Sequence, residues 1–131
     1  MIWLVARMKW VMVLSGALTL TMVHALISPS SALRTTFGDT LEGPLAEIVV
    51  RNWGALIALV GAMLIYGAFQ SNSRKLVLVV AGLSKVTFIA LVFTLGPQYL
   101  ASAGVAIVFD SIMVLLFATY LIATKREMSV A

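Results

Sequence analysis

The sequence has no cysteine and a single histidine, His24, among 131 residues. The first absence excludes disulfides, thiolate metal sites and cysteine nucleophiles. The second excludes a histidine-rich metal site within one chain. Charge is also scarce: Asp, Glu, Lys and Arg make up 11% of the residues, against about 25% in an average soluble domain. A soluble domain of this length has to cover its surface with polar groups, and this chain holds under half the usual complement. Its excess is apolar, with 62% hydrophobic residues and a mean hydropathy of +1.09. The composition is that of an integral membrane protein. The length suits one domain, residues 1–131. The net charge of +4 reads as basic residues marking cytoplasmic helix ends, not as a nucleic-acid surface.

A helix needs about 20 apolar residues to cross a bilayer, and four stretches qualify. They run from about Trp10 to Ile27, Ile48 to Phe69, Leu76 to Leu95 and Ala103 to Ala123. The first also invites a signal-peptide reading, with Arg7 and Lys9 ahead of it and Val23-His24-Ala25 resembling a cleavage site. Its apolar run is longer than a usual signal core, and an apolar start precedes the basic residues, so a retained helix is expected. Arg7, Lys9, Arg74, Lys75, Lys125 and Arg126 all fall on one side of the four spans. The other side has Arg34, with Asp39 and Glu42 close by. The positive-inside rule then places both termini in the cytoplasm. The expected fold is an all-α, antiparallel four-helix membrane bundle, N-in and C-in.

The connections differ in kind. Gln70-Ser71-Asn72-Ser73 is a tight polar turn, and Gly96-Pro97 stops the third span. Residues 28–47 form the one long outer loop. Within it, Ala32 to Phe37 is expected to form a short interfacial helix, with Phe37 among the headgroups.

Ionisable side chains at membrane depth are costly, so each needs a partner or a purpose. The candidates are His24, Glu47, Arg51, Lys85 and Asp110. With a helical rise of about 1.5 Å per residue, all of them fall in the outer half or at the midplane. The inner half is almost wholly apolar: Val11 to Leu14, Met63 to Ile65, Val77 to Val80, Leu115 to Phe117. Glu47 and Arg51 are spaced for an i,i+4 pair. Lys85 and Asp110 stand at similar depth on consecutive antiparallel spans, and a lysine stem can close the gap by snorkelling. Ser84, Ser111, Asn52 and Thr87 lie near enough to join a network. Two readings stay open. One is a set of ion pairs that fixes helix register. The other is a polar pocket, open to the outer face, that holds a ligand head group or relays protons.

On the second span Gly54, Ala58 and Ala62 recur every four residues, with Gly61 adjacent. Small residues on one face let another helix approach closely, either within this bundle or from another subunit. Trp3, Trp10, Trp53, Tyr66, Tyr99 and Tyr120 lie mostly near helix ends, as an interfacial belt does. No catalytic constellation emerges. Gly38 to Gly43 lacks the strand and helix that a phosphate loop requires, no Gly-x-Ser-x-Gly elbow is present, and a Ser–His dyad rests on His24 and Ser28 alone. A bound quinone or lipid needs only an apolar slot and one or two hydrogen-bonding groups.

The layout of four helices, the loop running from Ser28-Pro29 to Phe37-Gly38, the arginine early in the second span (Val50-Arg51-Asn52-Trp53-Gly54) and the small-residue face resemble the small bacterial membrane proteins called DoxX-like. The resemblance covers most of the chain on short motifs. It implies a bacterial inner-membrane location, a link to quinone-dependent oxidoreductase complexes as a membrane subunit, and Arg51 as a signature residue. The small multidrug exporters are similar in size and helix count, but they use a glutamate in the first helix, and this first span has no carboxylate. The functional expectation is a non-catalytic accessory subunit or binding module of a larger membrane complex, or a self-associating protein. The alternatives are a small ion- or proton-coupled transporter using Lys85 and Asp110, and a quinone-associated component of an oxidoreductase. No enzyme activity and no metal site are expected.

Overall fold

A computed structural model of the chain describes the backbone of residues 2–130 and the side chains of residues 3, 4 and 6–125. Arg126, counted above among the basic residues of one side, falls outside the described side chains. The described residues are helical with no strand. In chain order the helices are α1 (Ile2–Leu20), α2 (Val23–Ile27), α3 (Pro29–Phe37), α4 (Pro44–Phe69), α5 (Ser71–Leu95) and α6 (Leu100–Val130), with a single 3₁₀ turn at Pro97–Tyr99 before the last. Four segments are long and apolar enough to cross a membrane: Ala6–Ile27, Pro44–Phe69, Ser71–Leu95 and Pro97–Lys125. At about 1.5 Å per residue, the 26 residues of α4 exceed the ~30 Å hydrocarbon thickness and leave room for tilt.

Local chemistry sets the breaks. At Thr21 and Met22 the amide bonds tighten to residues three back, Leu18 and Thr19. The Thr21 hydroxyl also takes the Leu18 carbonyl, a local competitor for the helical ladder. The first span is therefore interrupted, where an unbroken helix was expected. Pro29 lacks the N–H that would continue α2 and serves instead at the first position of α3. Gly38 ends α3 in the left-handed region (φ 74°) and its N–H bonds to Arg34 O at 2.9 Å, a conformation glycine adopts without strain. Pro44 opens α4 in the same way that Pro29 opens α3.

The long helices pack in a ring, α1 on α4, α4 on α5, α5 on α6 and α6 on α1. Contacts between the first span and α4 run in opposite order along the two: Met12 meets Gly67, Gly16 meets Gly61 and Ala25 meets Gly54. The α1–α4 approach is close enough that a Cβ on Gly61 would stand 2.7 Å from the Gly16 carbonyl oxygen, and one on Gly54 would stand 2.5 Å from the Ala25 methyl. Only glycine fits there. The face that does this is Gly54, Ala58 and Gly61, all buried, while Ala62 is exposed. The expected i+4 stripe through Ala62 is thus corrected to one that steps to Gly61, and this face is covered by α1 and α2 of the same chain.

One core fills the end of the bundle that holds the Gln70 turn, called here the turn end. Met8, Met12, Leu64, Leu78 and Phe117 are fully buried there, with Leu4, Val77, Ala81, Met113 and Tyr120 around them. The opposite end, the loop end, is held by two smaller clusters, around Ala25, Leu33 and Val50 and around Val92, Ala103 and Ile107. Only 22–28% of each membrane-length window is buried inside the bundle. Most of the apolar surface therefore faces outward, where only a lipid environment solvates it favourably.

Candidate functional site

Lys85 sits near the middle of α5 and Asp110 near the first third of α6. Because the two helices run side by side in opposite order, the side chains meet: Lys85 Nζ donates to Asp110 Oδ1 at 2.7 Å. Both are largely withdrawn from the surface, with side-chain exposures of 8% and 18%. The Phe109 ring lies 6.0 Å from the Lys85 ammonium, at the outer limit for a cation–π contact. Two opposite charges at this distance neutralise one another, which makes their shared burial tolerable.

The pair forms part of the wall of a cavity of about 660 Å³, the size range of ligand pockets, about 300–1,000 Å³. Its back is built from Trp53, Ile57 and Val60 of α4 and Ser84, Lys85 and Phe88 of α5, all buried or half-buried. Its exposed lining residues come from the other side: Leu18 of α1, Thr35 of α3, and Ser102, Val105 and Ala106 of α6. The mouth therefore lies between α1 and α6, beneath α3. At the loop end α3 places Thr35 and Thr36 on the cavity wall. Inside, the hydroxyls of Thr19, Thr35, Thr36, Ser84 and Ser102 join the ion pair as polar groups, and the remainder is apolar.

Phe37 secures α3 in this position. Its ring packs against Trp53 at 6.0 Å, Phe88 at 6.1 Å and Tyr99 at 5.7 Å, the last edge-on. Offset and edge-on ring pairs of this kind are each worth about 0.5–1.5 kcal/mol beyond burial. Phe37 thus packs inward, against rings from three other segments. The same rings wall a second, mostly apolar groove of about 360 Å³ between α4 and α5, bounded by Val49, Leu91 and Leu95.

The other candidates lie elsewhere. Arg51 reaches across to the end of α2, where its guanidinium donates to the Leu26 carbonyl and, at 3.4 Å, to the Ile27 carbonyl. These are carbonyls that a helix C-terminus leaves without partners. Its link to Glu47 is 4.0 Å long with exposures of 41% and 60%, a geometry that contributes little. His24 Nε2 shares a 3.1 Å hydrogen bond with Ser31 Oγ. The dyad considered with Ser28 is corrected accordingly, because the turn at Pro29 brings Ser31 round to the imidazole. Asn52 is exposed and outside the cavity lining. Thr87 returns its hydroxyl to Leu83 O of its own helix at 2.8 Å and does not join the ion pair. Ser84 lines the cavity and Ser111 does not.

Sequence reasoning missed two polar features. Arg74, counted only for its charge, donates to Gly67 O at 3.1 Å and Ala68 O at 2.7 Å and reaches Tyr120 OH at 3.5 Å. It closes the C-terminal carbonyls of α4, a pattern readable from a basic residue just after a helix end. Ser15 is completely buried and its hydroxyl has no partner. It lies one helical turn below Thr19. Among the described residues no group of three His, Cys, Asp or Glu side chains is placed to hold a metal ion. Comparison with protein-family models, with curated proteins and with solved structures finds no match.

Proposed function

We propose that this chain is a multi-pass membrane protein, an antiparallel four-helix bundle with both termini on the cytoplasmic side, that works as a non-catalytic binding module of a larger membrane complex. The turn end is then cytoplasmic and the loop end faces outward. Arg7, Lys9, Arg74, Lys75 and Lys125 support this orientation, because they cluster at the turn end as the positive-inside rule requires. A bacterial inner membrane suits the size of the chain and its resemblance to the DoxX-like group.

The observation that carries the binding role is the 660 Å³ cavity with the Lys85–Asp110 pair in its wall. A cavity at membrane depth that is apolar apart from a neutralised ion pair and a few hydroxyls is a place to hold a molecule. The fully buried core of Met8, Met12, Leu64, Leu78 and Phe117 lies between this cavity and the turn end. That closure favours a chamber over a path through the bundle, and so favours binding over transport.

The test is native mass spectrometry of the protein extracted gently from its own membrane. The 14.1 kDa chain should carry a small molecule, and Ala106→Phe, which narrows the mouth, should lose it. A bare chain, or a bound mass indifferent to Ala106→Phe, overturns the binding role. Further subunits at fixed stoichiometry are expected from a module of a complex, and their absence overturns that part of the reading.

A further inference from the structure

We infer that the chamber's ligand is an uncharged, single-tailed amphiphile that enters sideways from the bilayer, with its hydrogen-bonding head against Lys85 and Asp110 and its tail through the gap between α1 and α6. This inference rests on the binding role proposed above and assigns the chemical class of what is bound.

The charge of the head follows from the wall. Among the described residues the only ionisable side chains lining the chamber are Lys85 and Asp110, and they already neutralise each other at 2.7 Å. An anionic or cationic head would enter a mostly apolar space as an uncompensated charge, at a cost that no lining side chain offsets. A neutral head meets hydroxyl donors and acceptors from Thr19, Thr36, Ser84 and Ser102, and Thr35, whose proton goes to Ser31 O, can accept. It can also use the lone pairs and N–H bonds that one 2.7 Å contact leaves over on the carboxylate and the ammonium.

The route follows from the exposed residues. Val105 is 84% exposed and Leu18 46% exposed, and both line the chamber from membrane-length helices. The edge of the opening is therefore apolar at Leu18, Val105 and Ala106, while Thr35 and Ser102 add hydroxyls where it meets α3. From the outer side α3 stands across the chamber, held by the Phe37 ring cluster. A molecule with a single tail can leave that tail in the bilayer while its head occupies the chamber.

Trp53 reports directly, because it lines the chamber back. The other tryptophans, Trp3 and Trp10, are exposed, and a Trp3→Phe/Trp10→Phe background leaves Trp53 as the sole emitter. In vesicles of unbrominated phosphatidylcholine, bromine quenches tryptophan fluorescence only near contact. Dibromostearyl alcohol is compared with dibromostearyl sulfate, dibromostearyl trimethylammonium and dibrominated phosphatidylcholine. The alcohol is expected to quench Trp53 saturably, with half-quenching at a mole fraction at least about tenfold lower than the sulfate or the ammonium, because each of those brings an uncompensated charge to the site. Ala106→Phe should abolish the saturable part. Asp110→Asn, which leaves Lys85 uncompensated, should reverse the order in favour of the sulfate. If the sulfate or the ammonium quenches first in the unaltered pair, the ligand class is wrong while the chamber still binds. Saturable quenching that survives Ala106→Phe puts the amphiphile in the α4–α5 groove and overturns the inference. If no single-tailed probe exceeds the phosphatidylcholine, the binding role itself falls.

Discussion

Lys85 and Asp110 bring the polar chemistry to a chamber that is otherwise mostly apolar, and they do so only as a pair. Removing one partner leaves a single charge among apolar side chains. By analogy with buried pairs elsewhere that costs about 3–5 kcal/mol, whereas replacing both with apolar groups of similar volume is close to neutral. Lys85→Met or Asp110→Asn alone should therefore lower the thermal midpoint in detergent sharply, and Lys85→Met/Asp110→Leu should recover most of the loss. Equal effects from the single and double changes would mean that the two groups are not coupled. Their meeting was legible in the sequence, because depth along two antiparallel spans is set by residue number alone. The role of Arg51 was not. Arg51 stands four residues after Glu47, and spacing favoured that pair. The Leu26 and Ile27 carbonyls that it actually serves belong to a segment 24 and 25 residues away. A long-range partner of that kind has no local signature.

At the scale of the helices, two features decide the shape: the glycine seam of α4 and the placement of α3. Stepping by four residues advances about 400° around a helix, so a stripe through Gly54 and Ala58 has drifted about 80° by Ala62, while Gly61 lies within about 20° of the starting direction. The seam is accordingly Gly54–Ala58–Gly61. A Cβ on Gly61 would stand 2.5 Å from the Leu20 amide nitrogen, whereas one on Gly82 of α5 meets nothing within 4 Å. Gly61→Leu is expected to destabilise the fold by several kcal/mol, on the scale of overpacking against rigid backbone, or to prevent folding. Gly82→Leu should be nearly silent in the same thermal measurement, and a comparable loss from both would contradict the packing described. The placement of α3 was only partly legible. Pro29 and Gly38 mark its ends, but an aromatic residue on a short loop helix serves equally well as a headgroup anchor or an inward plug. Which of the two occurs depends on Trp53, Phe88 and Tyr99, which come from three other segments.

For the whole molecule, the apolar composition already requires a lipid environment, and the four spans could be counted from the sequence. The chamber could not. It exists because α1 and α6 share a core at the turn end, around Met8, Met12 and Phe117, and leave a lined gap near Leu18 and Val105. No residue pattern within one span announces such a divergence. The chain's lack of cysteine makes the most direct measurement a clean one: single cysteines labelled in intact cells by a membrane-impermeant maleimide, with detergent-solubilised protein as the control for reactivity. The sites are Leu41→Cys in the loop before α4, Asn72→Cys in the first turn of α5 and Ser84→Cys on the chamber wall. Leu41→Cys is expected to react, and Asn72→Cys and Ser84→Cys to stay unlabelled until the membrane is dissolved. Labelling of Asn72→Cys instead of Leu41→Cys would invert the orientation. Labelling of Ser84→Cys as fast as Leu41→Cys would make the chamber an aqueous vestibule, and a site filled from the bilayer would be contradicted.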